Sequence, residues 1–322
     1  MNTFGQKFRL HIFGESHGAA VGVCIDGAPA GIALQPADFV ADLQRRKSGA
    51  RGTTPRVEAD VPELLSGVFD GRTTGAPITI IFRNENTRSG DYAAMLAQPR
   101  PGHADFVAAR KYCGFSDYRG GGHFSGRLTL GLVAAGVVAK KMLDGLSVCA
   151  KILEIGGAKF GEHEALLDAA MADGDSLGGL VECRVSKLPV GWGEPFFDSV
   201  ESLISHIAFA IPGVRGVEFG SGFAAARQRG SEHNDAIVDG HGATQTNHAG
   251  GVNGGITNGN ELVFRVAVKP TASIAKPQHT YDFEHNGVRE LSIKGRHDAC
   301  IALRVPVVLE AATAIALADL KI

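Results

Sequence analysis

Three consecutive glycines, Gly120-Gly121-Gly122, then Ser125 and a long apolar run, restrict the fold of this chain more than any other feature. Without Cβ atoms, such glycines let backbone approach a ligand closely. Ser125 stands where a helix N-cap belongs, ahead of Leu128, Leu132, Val133, Ala135 and Gly136, and Lys140-Lys141 falls near the negative end of that helix. The junction predicts a tight loop opening a long apolar helix whose N-terminus, with Arg127 in the first turn, suits an anion. Just upstream, Pro101-Gly102 forces a turn that presents His103. Asp105 is expected to cap a short helix with Phe106, Ala109 and Cys113 near helical spacing. A purely structural loop over a core helix would use the same residues, and this stretch alone leaves both readings open.

The basic residues matter more because the chain as a whole is not basic. Its net charge is -2, so there is no global field for nucleic acid and any anion binding must come from local clusters. At 322 residues, 44% apolar and 20% charged, it can bury a large core as an ordinary soluble globular protein. Five scattered cysteines (Cys24, Cys113, Cys149, Cys183, Cys300), with no C-x-x-C, imply a reducing compartment and no structural zinc. No apolar leader and no uncharged run of membrane-spanning length is evident, so a cytoplasmic location without membrane contact is expected.

In chain order, strands are expected over 8–13 and 20–25, enclosing Gly14-Glu15-Ser16-His17-Gly18. That polar pair between glycines reads as catalytic groups at a strand end or as a plain hairpin turn. Pro36-Ala37-Asp38 opens a helix that runs into Arg45, Arg46, Lys47, Arg51 and Arg56, with Gly49 and Gly52 between them. Guanidinium forks on a Gly-rich loop suit a multiply anionic small ligand, and a solvated helix end is the plainer alternative. Strands follow over 64–69 and 77–82, with a polar loop over 84–92. Later strands are expected over 147–155, 180–188 and 261–268, and helices over 163–171 and 200–210. The segment 213–259 reads as loop-rich. The closing helix starts near Gly295-Arg296-His297-Asp298, with Asp298 as a candidate N-cap and Pro306 as a kink. Two long apolar helices, each entered through a basic loop, suggest one domain, 1–322, with two related halves.

Taken together, GESHG, RRKSGAR, RPGHAD, the Gly-rich loop ending in S-x-R, KPTAS and GRHD, in this order, resemble the chorismate synthases along essentially the whole chain. The resemblance implies an α+β fold, a β-α-β sandwich with helices packed between mostly antiparallel sheets, assembled as a homotetramer. It implies a lyase that uses reduced FMN in the 1,4-elimination of phosphate from 5-enolpyruvylshikimate 3-phosphate, giving chorismate. NADP and an external source of reduced flavin go with that chemistry. Carried over by motif, Ser16, Arg46, Arg51, Arg100, Arg127 and Arg296 resemble the substrate-binding set. His17 resembles the donor to the departing phosphate, His103 the histidine serving the flavin, and Asp298 the acid that helps carry away the C6 proton. Flavin contacts are implied at His123, Phe124, Ser125, Gly254, Lys269, Pro270, Thr271, Ala272, Ser273 and Arg296, and at Pro212 and Gly213 toward a neighbouring subunit.

The sequence departs from many members of that family in three places. His123-Phe124-Ser125-Gly126-Arg127 replaces Arg-Ser-Ser-Ala-Arg, Pro212-Gly213 replaces Asn-Ala, and the stretch 156–173 is shorter. Two other functions compete. Gly121 to Leu128 nearly spells a P-loop, which would make the protein an ATP-dependent phosphotransferase, but Arg127 and Leu128 replace its Lys and hydroxyl. A non-catalytic anion- or RNA-binding module would want a basic balance and interleaved aromatics that this chain lacks.

Overall fold

The computed structural model describes residues 1–87, 95, 97–293 and 297–321. Arg296 and positions 88–92 of the expected polar loop lie outside the described residues. Seven helices are described: α1 Val40–Arg46, α2 Asp105–Lys111, α3 Thr129–Met142, α4 Glu164–Ala172, α5 Val200–Ala210, α6 Gly230–His233 and α7 Val305–Lys321. In α3 twelve of fourteen residues are buried, and α7 is buried almost throughout. A helix apolar on every side needs protein on every side.

Two five-stranded sheets supply it. The first runs Thr3–Phe4, Arg9–Gly14, Ala20–Asp26, Ile78–Arg83, Glu63–Ser66, and the second Val214–Phe219, Leu262–Val268, Gly179–Ser186, Ser147–Ile155, Ala158–Lys159. Every pairing within them is antiparallel. Helix α3 packs on the first sheet, α7 on the second, and the two helices on each other. The expected α+β sandwich with helices between antiparallel sheets is what forms. The helices meet closely because Gly136 has no side chain: a Cβ there would lie 2.3 Å from that of Ala311.

Residues 301–321 are long and apolar enough to cross a membrane, with a mean hydropathy of 1.9, yet most of this stretch is buried inside the fold. Its carboxylates are bonded rather than bare. Glu310 accepts from both Nη atoms of Arg45 at 2.7 Å and from the Ala150 N–H at 2.9 Å. Asp319 accepts from the N–H groups of Gln6, Lys7 and Phe8, tying the start of the chain to its last helix.

Several local expectations change. Pro306 is the second residue of α7, where a missing N–H costs nothing, so it helps start the helix instead of kinking it. Asp298 lies ahead of the 3₁₀ turn Ile301–Arg304 and does not cap it. Asp105 sits inside the first turn of α2, not at its N-cap, and Ala108 is the buried residue of that helix while Phe106 and Cys113 are exposed. The expected strand 64–69 divides, because Val68–Phe69 pairs with Arg72–Thr73 instead. The segment expected to be loop-rich contains the edge strand Val214–Phe219. A hairpin, Gln278–Asp282 with Gly287–Leu291, lies where no strand was expected.

Candidate active site

The C-terminal end of α1 and the N-terminal ends of α3 and α7 converge on a cavity of about 790 Å³. Seven cationic side chains line it among the described residues: Arg46, Arg56, Arg100, Arg127, Arg215, Lys269 and Arg304. Three carboxylates, Glu58, Asp60 and Asp298, oppose them. Two helix N-termini add positive potential to this excess.

At the deep pole, Arg46 is buried, giving its Nε hydrogen to Thr129 Oγ1 at 2.9 Å and an Nη2 hydrogen to the Gly126 carbonyl at 3.0 Å. Asp60 lies between two guanidiniums, 3.5 Å from Arg46 and 2.9 Å from Arg127. Arg127 also donates to the Arg83 carbonyl at 3.0 Å and to the Asn84 side chain. Burial, with Arg304 and Arg127 close by, pushes the Arg46 pKa down to about 9, which still leaves it charged at neutral pH. Arg56 forks onto Ser16, 3.1 Å to Oγ and 3.2 Å to the carbonyl, and pairs with Glu58 at 2.7 Å. His17 is buried against Gly120, where a Cβ would approach the ring to 2.7 Å. Burial, then Arg56 and Arg119, lower its pKa below the ordinary 6.5.

Across the cavity, His103 Nδ1 lies 2.6 Å from Asp105 Oδ1. Arg100 gives two side-chain hydrogens to Asp105 at 2.7 Å and one to Ser273 Oγ at 2.9 Å. Burial works to raise the Asp105 pKa, but the bonds from Arg100 and His103 hold it well below the usual carboxylate range. Lys269 reaches the Gly102 carbonyl, and burial, helped by Arg215, lowers its pKa. Asp298 accepts from the Thr54 N–H at 2.8 Å and from Arg304 Nη1 at 3.2 Å, and the Nε hydrogen of Arg304 goes to the Arg46 carbonyl at 3.0 Å.

The cavity thus gathers Ser16, Arg46, Arg100, His103, His123, Phe124, Ser125, Arg127, Pro212, Gly213, Lys269 to Ser273 and Asp298 from distant parts of the chain. Pro212 and Gly213 line this chain's own cavity, and a Cβ on Gly213 would strike Ile301 at 2.5 Å. His123 has both ring nitrogens against protein oxygens, Gly14 O at 2.8 Å and Asn2 Oδ1 at 3.1 Å. Three expected residues are not in the lining: His17 sits behind Gly120, Gly254 lies on the turn between Val252–Asn253 and Ile256–Thr257, and Arg51 points to α4. There Arg51 pairs with Asp168 and, at 3.7 Å, with Glu164, its side chain half exposed. Sequence reasoning passed over Glu58, Asp60 and Arg304 and counted Arg56 only within a basic run. Arg304 did carry a readable signal, since a cation at a helix N-terminus opposes the dipole and invites an anionic partner. Gly121 and Gly122 take positive-φ, non-helical backbone, Ser125 caps the 3₁₀ turn Gly126–Leu128, and no strand leads in, unlike a P-loop.

The sequence matches the chorismate synthase family over residues 8–322. The chain belongs to the chorismate synthase family. It is 65% identical to the chorismate synthase of Chitinophaga pinensis over 99% of this chain and 96% of that one. Its identity to the chorismate synthase of Korarchaeum cryptofilum is 47%, over 99% and 96% of the two chains. A crystal structure of chorismate synthase superposes with a TM-score of 0.74 at 26% identity, covering 98% of this chain and 92% of that one. As a family member the protein is a lyase of the shikimate pathway, eliminating phosphate from 5-enolpyruvylshikimate 3-phosphate to form chorismate in the final step.

Proposed function

We propose that the cavity holds reduced FMN beside 5-enolpyruvylshikimate 3-phosphate, and that its side chains divide into an anion-binding group and a proton-handling group. The observation that carries this reading is the crowding of Arg46 by Arg127 and Arg304 in a buried corner. A ligand bearing a phosphate and two carboxylates relieves that crowding and takes up guanidinium forks. The residues present also suit a flavin. The Thr271 hydroxyl is buried in the cavity wall with no hydrogen-bond partner among the described residues, and a Cβ on Gly126 would meet nothing within 4 Å.

Lys269, Pro270, Thr271, Ala272 and Ser273 would hold the flavin on one side, and His123, Phe124, Ser125, Pro212 and Gly213 on the other. Gly254 and Arg296 complete the set that the family resemblance implies. Reduced FMN supplies the electron density that assists loss of phosphate. Arg46, Arg127 and Ser16 bind the anionic groups, with Arg100 behind them. Arg51 joins by exchanging its exposed ion pair with Asp168, at a cost of no more than about 1 kcal/mol. His17 gives a proton to the departing phosphate oxygen. Burial, then Arg56 and Arg119, lower its pKa in the free chain, and a bound phosphate offsets the two arginines and so favours the protonated ring. His103 acts on the flavin side, and Asp298 helps carry away the proton lost from C6.

We place the enzyme in the cytoplasm as a homotetramer supplied with reduced flavin from outside. Five free thiols suit that compartment, and Phe196 and Phe197, 85% and 89% exposed, suit burial between subunits. The test is an anaerobic assay with reduced FMN and 5-enolpyruvylshikimate 3-phosphate, following chorismate and phosphate. Equimolar release of both is expected, and folded protein that yields neither would overturn the reading.

A further inference from the structure

We propose that Asp105, clamped by Arg100, is a positioning residue that fixes the tautomer and ring orientation of His103. The proposal rests on the reading that His103 acts at the flavin side of the cavity. Asp105 is the hub. Its Oδ1 lies 2.6 Å from His103 Nδ1 and 2.7 Å from Arg100 Nη2, while its Oδ2 accepts from Arg100 Nε at 2.7 Å and from the Arg100 N–H at 3.1 Å. The third arm of Arg100 is anchored on Ser273 Oγ at 2.9 Å, from the segment after the strand Leu262–Val268.

This geometry selects one tautomer. Arg100 Nη2 lies 3.0 Å from His103 Nδ1, and a guanidinium can only donate. If Nδ1 lacked its hydrogen it could accept from Arg100, but its lone pair would then face the Asp105 carboxylate at 2.6 Å. With Asp105 ionised, Nδ1 must carry the hydrogen and donate it to Oδ1, and Arg100 donates to that same carboxylate. Nε2 is then the nitrogen left to exchange a proton. It faces Gly121, where a Cβ would come within 3.4 Å of Nε2 and Cε1, so the glycine leaves that edge open. Arg100, expected as a substrate contact, becomes instead the clamp that orients Asp105. The logic is that of a carboxylate orienting a catalytic imidazole.

The test is nitrogen-15 NMR of the His103 ring in the full-length protein with reduced FMN bound, followed by kinetics of Asp105→Asn. In the wild type, the neutral ring is expected to show a protonated-type shift at Nδ1 and an unprotonated-type shift at Nε2. A neutral ring protonated at Nε2 would overturn the proposal, and this measurement decides the matter even where the variant fails to fold. Asn offers an N–H in place of a carboxylate oxygen, so Asp105→Asn is expected to move the hydrogen toward Nε2. It is also expected to lower kcat by roughly 10²-fold or more, with substrate KM within about threefold. Wild-type kcat with an unchanged tautomer in that variant would also overturn the proposal. Full activity in His103→Gln would instead remove the role of His103 itself, leaving the tautomer in place as an observation about the loop.

Discussion

The two poles of the cavity use the same residue types to opposite ends. Around His103, one carboxylate receives hydrogen bonds from both Arg100 and the imidazole, so the charges are matched before any ligand arrives. Around Arg46, three guanidiniums share two carboxylates: Asp60 lies between Arg46 and Arg127, and Asp298 pairs with Arg304. A matched cluster is settled and can orient a ring, whereas an under-matched one is held together by the fold and gains when an anion enters. A count of arginines therefore does not locate an anion site. A local excess of guanidiniums over carboxylates does.

The strongest way to break this contrast is to remove the groups that move protons. His17→Ala and His103→Ala are each expected to cut turnover by about 10²–10⁴-fold with folding retained, measured as chorismate formed under anaerobic conditions. His103→Ala should disturb the spectrum of bound flavin more than His17→Ala. Equal spectral effects would merge the two poles. Next in size is Arg46→Ala, expected to weaken substrate binding about 10- to 150-fold, the equivalent of roughly 1.5–3 kcal/mol for charge-assisted contacts, while flavin affinity stays within about twofold. Titration calorimetry with each ligand separates those outcomes.

Arg51→Ala should have a smaller effect, about three- to tenfold on substrate affinity, because its gain is reduced by the ion pair it gives up to α4. Unchanged affinity would leave Arg51 as a surface residue. The subtlest effect is a proton. Since His17 lies below 6.5 in the free protein, substrate binding near pH 7 should take up a fraction of a proton, seen as buffer-dependent binding enthalpy and lost in His17→Ala. The same shift fixes a sign for stability. A buried histidine with a lowered pKa contributes fully above about pH 6.5, and its contribution falls as the pH drops toward its folded value.

Much of this could be read from the chain. The strand Ser147–Ile155 and the helix Val200–Ala210 have the limits that their residue patterns suggested, because apolar periodicity reports burial directly. The anion-binding and proton-handling candidates could be named only through the family's motifs. Partnerships were harder to see. Asp60 meets Arg127 across 67 positions of chain, and nothing local in either residue announces the other. Asp105 looked like a helix cap because a cap and an ion-pair hub begin a helix with the same letter. The strand Val214–Phe219 was hidden by Gly216 and by its place at a sheet edge, where the register shifts beside that glycine. The first strand of the hairpin at 278–291, Gln278–Asp282, carries no aliphatic residue, so its alternating burial leaves no apolar alternation in the sequence.

The close crossing of α3 and α7 at Gly136 and Ala311 bears on the cavity from a distance. Arg127 lies just before one helix and Arg304 just before the other, and each crossing residue sits about 10 Å along its own axis from those starts. The pair works as scissors whose pivot is a missing methyl group, with a guanidinium at the tip of each blade. Packing a methyl at the pivot, as in Gly136→Ala, would pry the blades apart at the level of the sheets. The gap between Arg127 and Arg304 is thus gauged in part by a contact that touches no ligand at all.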